Sequence, residues 1–223
     1  MKIARLVFNP IQENTYVIWD DTLEAAIIDA GNMGERENDI LDKFIADNGL
    51  KPVLAINTHG HFDHLLGVNH ICEKYGAKFA LSSKDEFLLK NATTSAELFG
   101  VRAGDMPEVI DIDLDGAESI KFGETELKVI PTPGHTPGHL TLHEPKAGIL
   151  FTGDTLFRES IGRTDLPGGD YSWIMRSIIE NILPLGDDVK IYPGHGETSD
   201  IGHESMYNPF VVEVINNEVN YKN

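Results

Sequence analysis

A chain of 223 residues with 41% hydrophobic and 24% charged side chains can bury a sizeable core without a metal or disulfide staple. Its formal net charge of -18 argues against a nucleic-acid binder, which needs a basic stripe, and against docking on an anionic membrane. Cys72 is the single cysteine, Met1 to Phe8 carries no signal-peptide pattern, and no apolar run nears the ~20 residues of a membrane span, so a reducing, cytoplasmic setting is expected.

Runs rich in β-branched and aromatic residues predict strands over Ile3–Phe8, Thr15–Trp19 and Ala25–Asp29. Ile40, Leu41, Phe44 and Ile45 at helical spacing predict a helix over Glu35–Asn48, capped by Gly49. Pro52–Asn57 reads as a buried strand, and Asp63–Tyr75 as a helix stopped by Gly76. A strand over Lys78–Leu81 precedes a helix over Ser83–Lys90, where Ser83 and Glu86 make a capping-box pattern. Asn91–Pro107 has no single pattern and accommodates a helix with loops. Strands follow over Ile110–Leu114, Ser119–Phe122, Leu127–Ile130, Leu140–Leu142 and Gly148–Thr152. Asp170–Leu183 predicts a helix ended before Pro184, Val189–Tyr192 a strand, and the tail from Ser205 a helix broken at Pro209. No Ser- or Gly-rich linker divides the chain, so one domain over residues 1–223 is expected. The order suggests two similar halves, each a sheet with helices outside it, in a layered α/β sandwich.

The densest chemical signal is Thr58-His59-Gly60-His61-Phe62-Asp63-His64, a loop delivered by the strand Pro52–Asn57. Imidazole nitrogens and carboxylate oxygens are the donors that zinc and similar ions take. In an extended segment His59 and His61 point the same way and can chelate one ion. Asp63 and His64, where the chain turns into a helix, suit a second ion. One tight loop cannot close two sites, and three other places offer ligands. These are His135 in Pro131-Thr132-Pro133-Gly134-His135-Thr136-Pro137-Gly138-His139, Asp154 in Phe151-Thr152-Gly153-Asp154-Thr155, and His195 in Tyr192-Pro193-Gly194-His195-Gly196. Each stands at a strand end beside Gly or Pro. His139 competes with His135, but at the start of a strand it suits a structural role. His70, His143 and His203 read as ordinary surface or hydrogen-bonding histidines.

These motifs, in this order over nearly the whole chain, resemble the metallo-β-lactamase superfamily. The resemblance implies a four-layer αββα sandwich of two mixed sheets flanked by helices, with the site at one edge. It implies His59, His61 and His135 on a first metal, Asp63, His64 and His195 on a second, and Asp154 bridging them. Within the superfamily the chain is similar to the short hydroxyacylglutathione hydrolase (type II glyoxalase) branch. The similarity lies in Gly153-Asp154-Thr155-Leu156-Phe157, Ile161-Gly162-Arg163, Leu185-Gly186-Asp187-Asp188, and Pro193-Gly194-His195-Gly196-Glu197 with Asn208-Pro209-Phe210. Full-length type II glyoxalases carry a C-terminal helical domain that brings basic residues to glutathione. Here only 28 residues follow His195, and Glu197 stands where those enzymes place a tyrosine. Arg163 matches a basic family position near the substrate and is the candidate anion contact.

The resemblance implies a small-molecule thioester substrate and two divalent ions, zinc first, with iron or manganese as alternatives. The ions would lower the pKa of a shared water, and Asp63 would orient the resulting hydroxide toward the carbonyl. Asp29, at its strand end, is either a turn residue before Gly31 or a carboxylate behind a ligand histidine. Two rival enzymes remain, a mononuclear iron persulfide dioxygenase sharing Gly162-Arg163-Thr164-Asp165, and a lactone or other ester hydrolase. A metal-binding module without turnover is the non-enzymatic rival. Nothing in the sequence sets the oligomeric state.

Overall fold

The computed structural model describes residues 1–221; residues 222 and 223 lie outside the described residues, as do the side chains from 217 onward. The first sheet takes β1 (Lys2–Phe8), β2 (Glu13–Trp19), β3 (Glu24–Ile28), β4 (Lys51–Ile56), β5 (Lys78–Leu81) and β6 (Ile112–Asp113), hydrogen-bonded in that order. Its first three strands are antiparallel, and β3 to β6 run parallel. The parallel connections carry α1 (Gly34–Asp47), α2 (Val68–Tyr75), α3 (Glu86–Lys90) and α4 (Ala92–Leu98). The second sheet takes β7 (Ser119–Phe122), β8 (Thr125–Pro131), β9 (Leu140–Glu144), β10 (Ile149–Gly153), β13 (Lys190–Pro193) and β14 (Ser199–Asp200), in the order β14-β13-β10-β9-β8-β7. Between β10 and β13 lie a small hairpin, β11 (Leu156–Phe157) and β12 (Ser160–Ile161), and the helix α5 (Tyr171–Arg176). Helices α6 (Ile201–Tyr207) and α7 (Pro209–Tyr221) end the described chain. No helix among the described residues is long and apolar enough to cross a membrane.

Strand side chains alternate between faces, and in the central strands β2, β3, β9 and β10 both faces are buried. Val17, Ala25, Ile27, Ala55 and Phe79 face α1 and α2 in one core. Their neighbours Tyr16, Ile18, Ala26, Ile28, Leu54 and Ile56 meet Leu127, Val129, Leu142 and Phe151 of the second sheet in another. Leu150 and Ile191 point away from that seam onto Ile174, Ile178, Ile182, Ile201 and Val211 in a third. Three cores between four layers make the αββα sandwich. Cys72 is half-buried against the first core, and burial pushes its thiol up to about 11.

Several boundaries differ from the sequence expectation. Phe62–His64 is a 3-10 turn, and α2 begins only at Val68. The Gly67 N–H, which a continuous helix would give to the Asp63 carbonyl, donates to Ala30 O at 2.7 Å, while Asn9 Nδ2 donates to Asp63 O. Tertiary bonds thus replace a helical one. The Ser83 capping box does not form: the Ser83 N–H donates to Asp113 Oδ1, and a 3-10 turn over Ser83–Asp85 precedes α3. The expected Asp170–Leu183 helix is α5, a π-helical stretch over Ser177–Ile182, and a 3-10 turn that contains Pro184. The strand expected over Ile110–Leu114 is only β6, and the tail helix starts four residues early, capped by Asp200 accepting from His203 N. Its break does fall before Pro209.

Candidate metal centre

One edge of the sandwich collects the ends of β3, β4, β5, β10 and β13 with the β8–β9 loop. The chain leaves β4 through Asn57 and Thr58 and places the His59, His61, Asp63 and His64 side chains along an extended stretch and the 3-10 turn that follows it. Thr58 accounts for the register. Its N–H donates to Asp29 Oδ1 and its hydroxyl to Asp29 Oδ2, both within 2.8 Å. Asp29 itself takes a left-handed φ of 51°, which few non-glycine residues adopt. The Thr58 hydroxyl also meets His59 Nδ1 at 3.0 Å, so His59 Nδ1 is the donor and its Nε2 lone pair faces the cluster.

The other loops are tied to this one. His135 Nδ1 donates to Arg163 O at 2.7 Å, which leaves His135 Nε2 free, 2.8 Å from His61 Nδ1. Asp154 follows β10, with its N–H donated to His139 Nε2. His139 is fully buried, its Nδ1 shares the Thr132 and Thr155 hydroxyls, and its ring stacks on His59, so it is a structural support. His195 is set by β13: Asn14 N donates to Gly194 O, Gly194 N to Gly153 O, and the Tyr16 hydroxyl to Pro193 O. A Cβ on Gly194 would strike Asp154 Oδ1, so only glycine lets the His195 loop pass that close.

Three groups of donor atoms result, each within 4.8 Å of one another: His59, His61 and His135; His59, His64 and Asp154; and Asp63, His64 and His195. His195 Nε2 lies 3.2 Å from Asp63 Oδ2 and 3.6 Å from Asp154 Oδ2. His64 Nε2 lies 3.5 Å from Asp154 Oδ1, and His64 Nδ1 lies 3.3 Å from Asp29 Oδ2, off-line for a hydrogen bond. Asp29 thus stands behind both His59, through Thr58, and His64.

Burial pushes His59 well below the usual imidazole range and brings His61 down to about 3, with neighbouring imidazoles adding to both. Neutral rings are what a metal takes. Burial also acts against charge on Asp63, but His64 and His195 outweigh it and hold the carboxyl below its ordinary range. For His64, burial lowers the pKa and the Asp63, Asp154 and Asp29 carboxylates overcome it, raising it. Carboxylate oxygens and imidazole nitrogens converge on the floor of one cavity. His59 Nε2, His64 Nε2 and Asp154 Oδ1 are buried there without any hydrogen-bond partner. Such atoms cost about 1–3 kcal/mol each unless something coordinates them. The donor set therefore fits divalent cations.

Sequence reasoning missed Asp85. Its carboxylate, wholly buried past the end of β5, accepts from Gly60 N at 2.9 Å, Thr136 Oγ1 at 2.7 Å and Gly138 N at 2.7 Å. It joins the His59–His61 loop to the His135 loop. The available signal was its place after the parallel strand next to β4. Arg163 is at the site, but by its carbonyl; its guanidinium forms two 2.7 Å bonds to Asp165. An anion contact from Arg163 would have to release that carboxylate. His70 pairs with Asp42 and His203 with Glu159, both away from the cluster.

The model of the metallo-beta-lactamase superfamily matches residues 8–195. The chain belongs to the metallo-β-lactamase superfamily. Hydroxyacylglutathione hydrolase GloC of Haemophilus influenzae is 37% identical over 95% of this chain and 98% of its own. The crystal structure of the B3 metallo-β-lactamase BLEG-1 superposes with a TM-score of 0.85 at 33% identity, over 94% of this chain and 99% of that one. A di-iron-bound form of TTHA1623 gives 0.82 at 31% identity, over 93% and 99%. The superfamily is one of metallo-hydrolases and binds divalent metals.

Proposed function

We propose that the protein is a binuclear metal-dependent thioester hydrolase. His59, His61 and His135 would hold one cation, Asp63, His64 and His195 the other, and Asp154 both. The observation that carries this is the reach of one carboxylate: Asp154 Oδ1 lies 3.5 Å from His64 Nε2, and Oδ2 lies 3.6 Å from both His135 Nε2 and His195 Nε2. Zinc suits the nitrogen-rich set, and the di-iron relative keeps iron as the competitor.

Bound there, the cations would supply Lewis acidity, lowering the pKa of water and polarising a carbonyl. The chain's own residues supply the rest. Asp63 Oδ2, ionised and facing the cavity beside His195, would accept a hydrogen bond from the attacking water and set its direction. Arg163 O and the Thr58 hydroxyl fix His135 and His59 as single tautomers, so each ring presents its Nε2 lone pair to the centre. The residues lining the cavity include no lysine, tyrosine or cysteine to protonate a leaving group. A thiolate departs without that help, whereas an amine does not. This favours a thioester, and the relation to GloC makes a hydroxyacylglutathione a necessary member of the panel. The lone cysteine agrees with work in a reducing cytoplasm.

Metal analysis with a thioester and lactone panel tests the proposal. Two metals per chain with thioester cleavage are expected, and Asp154→Ala should abolish loading and turnover together. One iron per chain with oxygen uptake, or turnover retained in Asp154→Ala, would refute it.

A further inference from the structure

The cavity over the cluster has a volume of about 540 Å³. Its floor is His61, Asp63, His135, Asp154 and His195, and its walls are mostly carbon. Phe87 and Leu88 come from α3, Leu98 and Phe99 from the end of α4, Phe157 and Ile161 from the β11–β12 hairpin, and Leu166 and Pro167 from the loop beyond. Single exposed hydrophobics are ordinary on any surface. Here Ile11, Phe87, Leu98 and Phe99 are exposed together around one mouth, Leu98 at 82%. Phe99 is also fixed to the catalytic loop, its ring 5.4 Å from that of Phe62, between His61 and Asp63. A contiguous apolar rim continuous with a buried reactive floor marks a ligand surface.

Charge narrows the ligand. The lining contains one Lys or Arg side chain, Arg163, and Asp165 already neutralises it through two bonds. A glutathionyl arm brings two carboxylates and one ammonium into this space, and the chain around it carries a net charge of -18. No free cation in the lining offsets those carboxylates.

We propose that this site selects a neutral thioester with an apolar arm, seated against Phe87, Leu98, Phe99, Phe157 and Leu166, over a glutathione thioester. The proposal rests on the thioester-hydrolase reading and specifies its substrate class. Asn91, Ser95 and Ser160 give the arm a few hydrogen-bonding groups, enough for an amide but not for a charge.

Binding of unreactive thioethers to the metal-loaded protein separates arm recognition from turnover. Calorimetry with S-hexyl-N-acetylcysteamine, neutral and apolar, should give an affinity at least about tenfold above that for S-methylglutathione, from apolar burial alone. Leu98→Asp, at a position too exposed to disturb folding, should weaken the hexyl probe about tenfold. Asp165→Asn frees Arg163 and should raise affinity for S-methylglutathione while leaving the hexyl probe unchanged. Tighter binding of S-methylglutathione by the unmodified protein overturns the proposal. So does hexyl affinity that ignores Leu98→Asp, including the case where that variant instead splits a dimer formed through the rim. The predicted binding pattern without cleavage of any thioester would support the apolar arm and overturn the hydrolase reading alone.

Discussion

Asp85→Ala is the sharpest perturbation of the support beneath the candidate centre. The substitution strands the Gly60 and Gly138 N–H groups and the Thr136 hydroxyl, all bonded to one buried carboxylate. Each stranded donor costs about 1–3 kcal/mol. The Thr136 hydroxyl can rotate and water can enter the small void, so a total of about 3–5 kcal/mol is expected rather than the full sum. For a chain of this size that is on the order of 10 °C in Tm. Burial pushes the Asp85 carboxyl up, and its three donors draw it back only in part, so the native charge is already held at some cost. Asn should therefore be milder than Ala: it keeps the shape and one acceptor oxygen. Because the clamp joins the His61 loop to the His135 loop, metal affinity should also fall, by about 10–100-fold. Thermal melts in chelator read the first effect and metal titration the second. An Ala variant with unchanged Tm and unchanged metal affinity would refute the clamp.

The remaining predictions touch separate physics. Gly194→Ala forces a methyl against Asp154 Oδ1 and His64 Cε1, and should lose metal stoichiometry while keeping the wild-type circular dichroism spectrum. Thr58→Val keeps shape but removes the hydroxyl between Asp29 and His59; metal affinity should drop about 10–100-fold, and an unchanged titration would deny that hydroxyl a role. Chelation should lower Tm, since metal held at about a thousand times its Kd contributes roughly 4 kcal/mol; equal melts with and without metal would contradict the fit. Asp20 anchors the β7–β8 turn, where burial raises its carboxyl but the Thr22, Thr125 and Glu124 donors outweigh it, bringing it to about 2. Its folded pKa lies below the unfolded value of about 3.9, so the stability it gives is full above about pH 4 and fades as pH falls through about 2. In Asp20→Asn the acid limb of the melt profile should flatten over that window.

The sheets were legible because their signal is local. Runs of β-branched and aromatic residues between turn residues locate strands whatever packs on them, and the strands of both sheets longer than two residues fall close to the expected runs. The ligand candidates were legible for a related reason: His59 to His64, His135, Asp154 and His195 each stand beside glycine or proline at a strand end, and the structure brings all of them to one edge. Helix boundaries were less legible where a distant group takes over a local bond, as Ala30 O does for Gly67 N–H. Asp85 reads as one more acid on a helix face until β5 is laid beside β4. The use of Arg163 through its carbonyl has no sequence signature at all, since every residue carries one.

One misread boundary lies within the ligand loop itself, and the reason is visible in the turn after His61. A helix running from Asp63 into α2 would spend the Asp63 carbonyl on Gly67 and set the Asp63 side chain by helical geometry. Instead Asn9 Nδ2 donates to both Asp63 O and Gly31 O, pinning the turn to the end of the first sheet. Asn57 Nδ2 donates to His64 O at 2.7 Å and holds the next residue. With both carbonyls fixed from outside, Asp63 is free to face His195 while His64 faces Asp154 and Asp29. The segment gives up regular helix so that two adjacent side chains can serve one centre from different directions. Continuous helix propensity through Leu65 and Leu66 would work against that arrangement, and the tertiary bonds from Asn9, Ala30 and Asn57 are what overrule it.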